Sequence, residues 1–211
     1  MNLLFFLLFS ANTVYPLFEF GGKAGINYNN IDKQGMIYNE SEKVDYSIDF
    51  SSGIIFNIHL NDLFYTGIEM LYNRKGFNLS DNSNGDIKVI LRYLEFPMTF
   101  GIKTENLSIY LGMYISALLN SEESCGSTCV KSEINPFGEN FDKVNSGLLF
   151  GLSYKINHVS FDMRYSRSFN KIYLYPNDYS GIDNFYQFIF SVIFSFDFNF
   201  HSDIRIPLII F

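Results

Sequence analysis

From Phe18 to Tyr28 the chain alternates. Phe18, Phe20, Gly22, Ala24, Ile26 and Tyr28 stand at even positions, with Glu19, Gly21, Lys23, Gly25 and Asn27 between them. A period of two places apolar side chains on one face of a strand and polar ones on the other. The same division runs from Ser47 to Leu60, where Ile48, Phe50, Ile54, Phe56, Ile58 and Leu60 oppose Ser47, Asp49, Ser51, Gly53, Asn57 and His59. Only Ser52 and Ile55 blur it. A third strand sets Phe64, Ile68, Met70 and Tyr72 against Gly67, Glu69, Asn73 and Lys75.

Five more strands follow. Leu94, Phe96, Met98, Phe100 and Ile102 oppose Tyr93, Glu95, Thr99 and Gly101, and Ile109, Leu111, Met113 and Ile115 oppose Ser108, Tyr110, Gly112, Tyr114 and Ser116. Val144, Leu148, Phe150, Leu152, Tyr154 and Ile156 face away from Asn145, Gly147, Gly151, Ser153 and Lys155. Val159, Phe161, Met163 and Tyr165 face away from Ser160, Asp162, Arg164 and Ser166, and the last strand sets Tyr186, Phe188, Phe190, Val192, Phe194 and Phe196 against Gln187, Ser191 and Ser195.

Eight is an even number, as an up-and-down barrel requires. The polar faces are rich in Gly and Ser with mixed charges, which suits a narrow interior better than a water-facing exterior. Long and short connections alternate, with Asn61-Asp62 and Asn157-His158 as tight-turn pairs at the short end. Outward Tyr28, Tyr72 and Tyr165 fall at the long-loop end, and Phe64, Phe100, Tyr154 and Phe196 at the short-turn end. Two aromatic girdles of this kind mark the interfaces of a membrane barrel. The pattern therefore predicts an all-β, eight-stranded antiparallel up-and-down transmembrane β-barrel with long external loops and short periplasmic turns.

Composition agrees. The 211 residues suit one domain; they are 47% hydrophobic and 18% aromatic, with 24 Phe, 15 Tyr and no Trp, which excludes a disordered chain. Fifteen Lys and Arg against 22 Asp and Glu give a net charge of −7, so the basic footprint of a nucleic-acid binder is missing. The longest apolar run, Leu3 to Phe9, is far short of the ~20 residues a spanning helix needs. A closed barrel is the other structure that satisfies every backbone polar group in lipid. Met1 to Phe9 reads as the apolar core of a secretory signal, with Ala11 and Thr13 the nearest small-residue cleavage pair and no basic residue ahead of it. Residues 1–17 are expected to be an export segment, 18–196 the barrel, and 197–211 a C-terminal extension.

Counting up from the short turns, Glu69, Glu95 and Arg164 come about five to seven residues along their strands, on the inward face. Allowing for tilt and stagger they are expected to share one layer of a structural ion network, with Asp49 and Lys75 above and Lys23 and Asp162 nearer the middle and base. An eight-stranded lumen is just wide enough for side chains to fill it. Cys125 and Cys129 could close a small disulfide in an oxidising compartment, and no neighbouring ligands suggest a metal. No cofactor or catalytic set is read.

Six stretches carry a resemblance. Gly22-Lys23-Ala24-Gly25-Ile26-Asn27, the run Gly67 to Gly76, Tyr93-Leu94-Glu95-Phe96-Pro97, Tyr110-Leu111-Gly112, Gly147 to Leu152 and Arg164-Tyr165 resemble, in order, strand signatures of the PorT-type outer-membrane β-barrel family of Bacteroidota. The resemblance covers roughly residues 18–196 and implies an eight-stranded outer-membrane barrel. The namesake branch is associated with maturation or secretion of exported proteins, a role that none of the quoted residues carries over. Members usually end at the aromatic that closes the last strand, here Phe196, whereas this chain continues to Phe211.

The reading is a monomeric, non-enzymatic outer-membrane barrel in contact with membrane lipid and the outer-membrane assembly machinery. It acts as an envelope component or through the long acidic loops Asn29 to Asp45 and Asn120 to Asp142, where an unidentified protein partner could dock. Two other classes compete. A lipid-modifying barrel enzyme needs a His and Ser on its lipid face, but His59 points inward beside a turn, His158 is in a turn and His201 lies beyond the barrel. A soluble lipocalin-like binder would need the same strands inside out.

Overall fold

The computed structural model describes residues 18–31, 43–81, 85–125, 143–170 and 185–198. Within them lie β1 (Phe18–Ile31), β2 (Lys43–Asp45), β3 (Ser47–His59), β4 (Phe64–Asp81), β5 (Gly85–Lys103), β6 (Leu107–Cys125), β7 (Val144–Ile156), β8 (Val159–Ser168) and β9 (Phe185–Phe198). Every neighbouring pair is antiparallel, and β1 closes on β9 from Phe18↔Phe198 to Ile31↔Phe185. The sheet therefore has no free side edge along its paired length, which meets the demand that lipid places on backbone N–H and C=O groups.

The nine segments make an eight-stranded barrel because β2 and β3 are one interrupted stave. Both pair with β4: Ser51↔Asn73 is the last β3 rung, and pairing resumes at Asp45↔Asn78 beyond Tyr46. A second irregularity lies between Arg92 and Tyr93 of β5, opposite an extra residue in β6. Bulges of this kind bend and twist a strand locally.

Alternation sorts the faces as the sequence predicts. Ile26, Ile48, Leu111, Phe150 and Phe190 point out and are exposed, while Glu19, Lys23, Asn73, Glu95, Asp162 and Arg164 point in and are buried. Outward aromatics pack in the two expected belts. Tyr28 stacks on Tyr46 and Tyr165 lies against Phe188 at one end, with Phe64 on Phe100 and Phe18 on Phe56 at the other. At the latter end Asn157 adopts φ 53°, the left-handed conformation that lets a two-residue hairpin follow strand twist. The Asn61 side chain accepts from the amides of Leu63 and Phe64 and rounds the first short turn.

One expectation about the connections fails. The link between β4 and β5 is not long: it spans only 82–84, because β4, β5 and β6 run 18, 19 and 19 residues. Their rungs continue to Asp81↔Gly85 and Ile87↔Cys125, past the end of the β7 pairing at Ala117↔Val144. Residues 120–125 thus belong to a strand rather than to a loop. The last strand ends at Phe198, two residues beyond Phe196. Residues 1–17, most of 197–211, Cys129 and His201 lie outside the described residues, as does any pairing of Cys125 with Cys129.

Candidate functional site

The inward face is a stack of charge-balanced layers. At its centre Arg164, 1% exposed, donates from Nη2 to Glu69 Oε1 at 2.5 Å and from Nε to the Tyr110 hydroxyl at 3.1 Å. Tyr110 donates to Asp162 Oδ1 at 2.6 Å, and Lys23 Nζ donates to Asp162 Oδ2 at 2.7 Å while lying 3.6 Å from Glu69 Oε2. Two cations meet two carboxylates, so the cluster is neutral. Removing charges from water is costly unless each is paired and hydrogen-bonded, and here strands β1, β4, β6 and β8 each deliver a partner.

Glu95 does not join that cluster. Its Oε2 accepts from Lys75 Nζ at 2.8 Å and from Asn73 Nδ2 at 3.2 Å, one layer closer to the long-loop end. Register explains the correction. Leu71 faces Glu95 across the β4–β5 ladder, which puts Glu95 one inward position above the level of Glu69. Lys75 also lies 4.7 Å from the Tyr114 ring centre and 5.4 Å from that of Tyr93, within cation–π range. Asp49, expected beside Lys75, instead pairs with Arg74 Nε at 2.9 Å and accepts from Asn29 at 3.0 Å. Lys23 and Asp162 belong to the central cluster itself.

A further layer escaped the sequence reading. At the short-turn end Glu19 accepts from Lys155 at 2.7 Å, Ser195 at 2.6 Å and Asn57 at 2.9 Å, with His59 Nε2 at 3.6 Å. The signal was available: Glu19, His59 and Lys155 all stand on the polar parity beside short turns. Arg74 carried the opposite signal, since its even position predicts an outward side chain. It reaches Asp49 where the β3–β4 ladder is interrupted.

With the short-turn layer and Arg74 included, the interior holds Lys23, Arg74, Lys75, Lys155 and Arg164 against Glu19, Asp49, Glu69, Glu95 and Asp162. These ten residues balance one another, and Lys103 also lines the bore at its short-turn end. Above the central cluster the bore is filled by Leu71, Leu91, Tyr93, Tyr114 and Phe77, each at most 1% exposed. Below it a cavity of about 50 Å³ reaches toward the short turns, lined by Glu19, His59, Tyr65, Tyr110, Lys155 and Asp162 among others. That is room for a few water molecules. Among the described residues no three His, Cys, Asp or Glu side chains converge where a metal could bind.

A closed barrel with aromatic belts and an inward polar stack is the architecture of one class of membrane protein, and the sequence comparison decides the family: the outer membrane protein beta-barrel domain matches residues 12–174. The chain belongs to this family. The outer membrane barrel is located accordingly, with its short turns on the periplasmic side by the loop asymmetry of the class.

The chain is similar to several solved outer-membrane proteins at low identity. Ail, the attachment invasion locus protein of Yersinia pestis, in complex with the heparin analogue sucrose octasulfate, is 13% identical with a TM-score of 0.46, covering 85% of this chain and 99% of that one. Neisserial surface protein A is 14% identical with a TM-score of 0.46, covering 86% and 97%. OprG from Pseudomonas aeruginosa is 12% identical with a TM-score of 0.46, covering 85% and 96%. Among curated proteins no sequence matches.

Three of the long inward tyrosines of this outer membrane barrel lie over glycines. Tyr65, Tyr110 and Tyr114 face Gly101, Gly151 and Gly147 directly across their ladders, and an added Cβ at any of the three glycines would strike the opposing ring. The glycine-rich parity of the sequence is therefore the floor on which the tyrosines lie.

Proposed function

We propose that the protein is a closed, non-enzymatic barrel that serves as an envelope component and acts through its external side rather than by passing solutes. The observation that carries this reading is the side-chain-filled interior, in which Lys23, Arg74, Lys75, Lys155 and Arg164 are each held by an inward carboxylate. A conducting path would need mobile charge or open cross-section, and a general acid or base would need a carboxylate that is not held by a cation. The inward network of Glu69, Glu95, Arg164, Lys23, Asp162, Asp49 and Lys75 is on this reading structural. The chain's acidic excess then falls largely to segments such as 29–45 and 120–142, which suits recognition of a cationic protein surface.

The six strand motifs further support a PorT-type barrel of Bacteroidota, with 1–17 as an export segment, 18–196 as the barrel domain and 197–211 as an extension. The barrel is monomeric on this reading, and an accessory role in secretion or maturation of exported proteins is the second function it allows.

The test is a crosslinking capture from intact envelopes, comparing the whole chain with a variant whose residues 126–142 are replaced by a short Gly-Asn turn. The reading expects one protein partner to be captured by the whole chain and lost with the shortened one, while both barrels insert. Equal capture by both would contradict it.

A further inference from the structure

The lipid-facing side of β8, β9 and β1 carries a groove of about 660 Å³. Its floor is made where small residues interrupt a row of large ones: Ala24 stands opposite Val192, and Phe161 flanks Val192 on the other ladder. Ile26, Met163 and Phe190 rise at its external side, and all three are exposed. Below Ala24 the floor continues to Gly22, where an added Cβ would meet nothing within 4 Å. Elsewhere on this wall large side chains such as Phe20, Phe188 and Phe194 fill the outward positions.

Directly above the groove on β8, at successive outward positions, come Met163, Tyr165 and Arg167. Arg167 is exposed and its guanidinium sits 5.0 Å from the ring centre of Tyr186, its rung partner on β9. The other outward arginine among the described residues, Arg92, is held by a carboxylate, gripping Glu122 with two bonds of 2.7 and 2.8 Å. Among the described residues Arg167 meets none. It lies at the level of the external aromatic belt, four residues or ~13 Å along the strand from Met163. On a strand tilted by about 40° that is ~10 Å of depth, within the ~15 Å of one leaflet of a ~30 Å hydrocarbon core.

We propose that this wall is a binding site for one phosphorylated lipid of the outer leaflet, with a phosphate on the Arg167 guanidinium and an acyl chain laid in the groove over Ala24 and Val192. The charge is complementary, because a guanidinium offers paired N–H donors that match phosphate oxygens. The stack on Tyr186 holds the guanidinium at the interface, so little side-chain freedom is lost on binding. The groove supplies the second half of the selectivity: a chain seated between Met163 and Phe190 makes contacts that a chain on a convex barrel wall does not.

The site predicts a preference that generic lipid contact would lack. The full chain is placed in nanodiscs of phosphatidylcholine doped with equal amounts of dimyristoyl phosphatidic acid and dimyristoylglycerol, and retained lipid is counted by native mass spectrometry after detergent release. The wild type should retain phosphatidic acid about tenfold over the diacylglycerol, as one charge-assisted contact allows. Arg167→Lys should keep most of that preference and Arg167→Gln should level it. Ala24→Phe, which fills the groove and leaves Arg167 in place, should lower retention of both lipids several-fold while the barrel still shows its folded gel mobility. A preference that survives Arg167→Gln, or retention unchanged by Ala24→Phe, would overturn the site.

Discussion

Tyr110 lies flat across Gly151, its rung partner on β7, and that contact aims its hydroxyl at both Asp162 and Arg164. The smallest residue on one strand thus sets the position of a phenol that links an acid to a base on a third. Gly151→Val would place two methyl groups where the ring lies. The loss should be about 2–4 kcal/mol, combining overpacking with the stranded Asp162 and Arg164 bonds. Tyr110→Phe should cost about 1–2 kcal/mol, since it removes the bonds and keeps the packing. Urea unfolding in detergent micelles measures both, and a Gly151→Val variant as stable as wild type would refute the arrangement.

Arg164 holds the central cluster neutral. Arg164→Met should destabilise by about 3–5 kcal/mol, because Glu69 is left with only Lys23 at 3.6 Å. Arg164→Met combined with Glu69→Gln removes one charge of each sign and should cost much less than the sum of the two single changes. Simple additivity in that double-mutant cycle would show that the pair is not coupled.

Glu95 belongs to another layer, and the same method separates it. Glu95→Gln and Arg164→Met should add to within about 0.5 kcal/mol, as sites without shared partners do. Glu95→Gln and Lys75→Met should instead be strongly non-additive, because Lys75 and Glu95 are 2.8 Å apart. The reverse result would return Glu95 to the Arg164 cluster.

Closure of β1 on β9 predicts a compact form that resists detergent. Without boiling, the protein should migrate on a denaturing gel at a position different from the boiled chain, and it should be recovered with outer membranes. Identical migration together with recovery in the aqueous fraction would fit a water-soluble barrel instead.

Parity alone made much of this architecture legible, because lipid on one side and a packed polar interior on the other impose different chemistry on successive residues. It faded where that contrast fades. Ile189 and Ile193 point inward between outward phenylalanines, so β9 is apolar on both faces over that stretch. Phe77, Val89 and Leu91 likewise fill the upper bore, which hid the outer halves of β4 and β5. In β6 the irregularity opposite Arg92 and Tyr93 shifts the phase, so that Ser121 rather than an even-numbered neighbour is buried. Grouping by height was less legible than facing. Counting residues from each turn placed Glu95 beside Arg164, but barrel strands are staggered, and only the register reveals that Lys75 reaches it first. Arg74 could not be found by parity at all, since it depends on a break in the ladder.

The central claim is that the interior is closed, and single-channel recording tests it most directly. Purified protein in a planar bilayer should give at most small, rare conductance steps, because the bore is occupied by the Arg164 cluster, by Lys75 with Glu95, and by Leu71, Leu91, Tyr93, Tyr114 and Phe77. Sustained large conductance from the monomer would contradict the account.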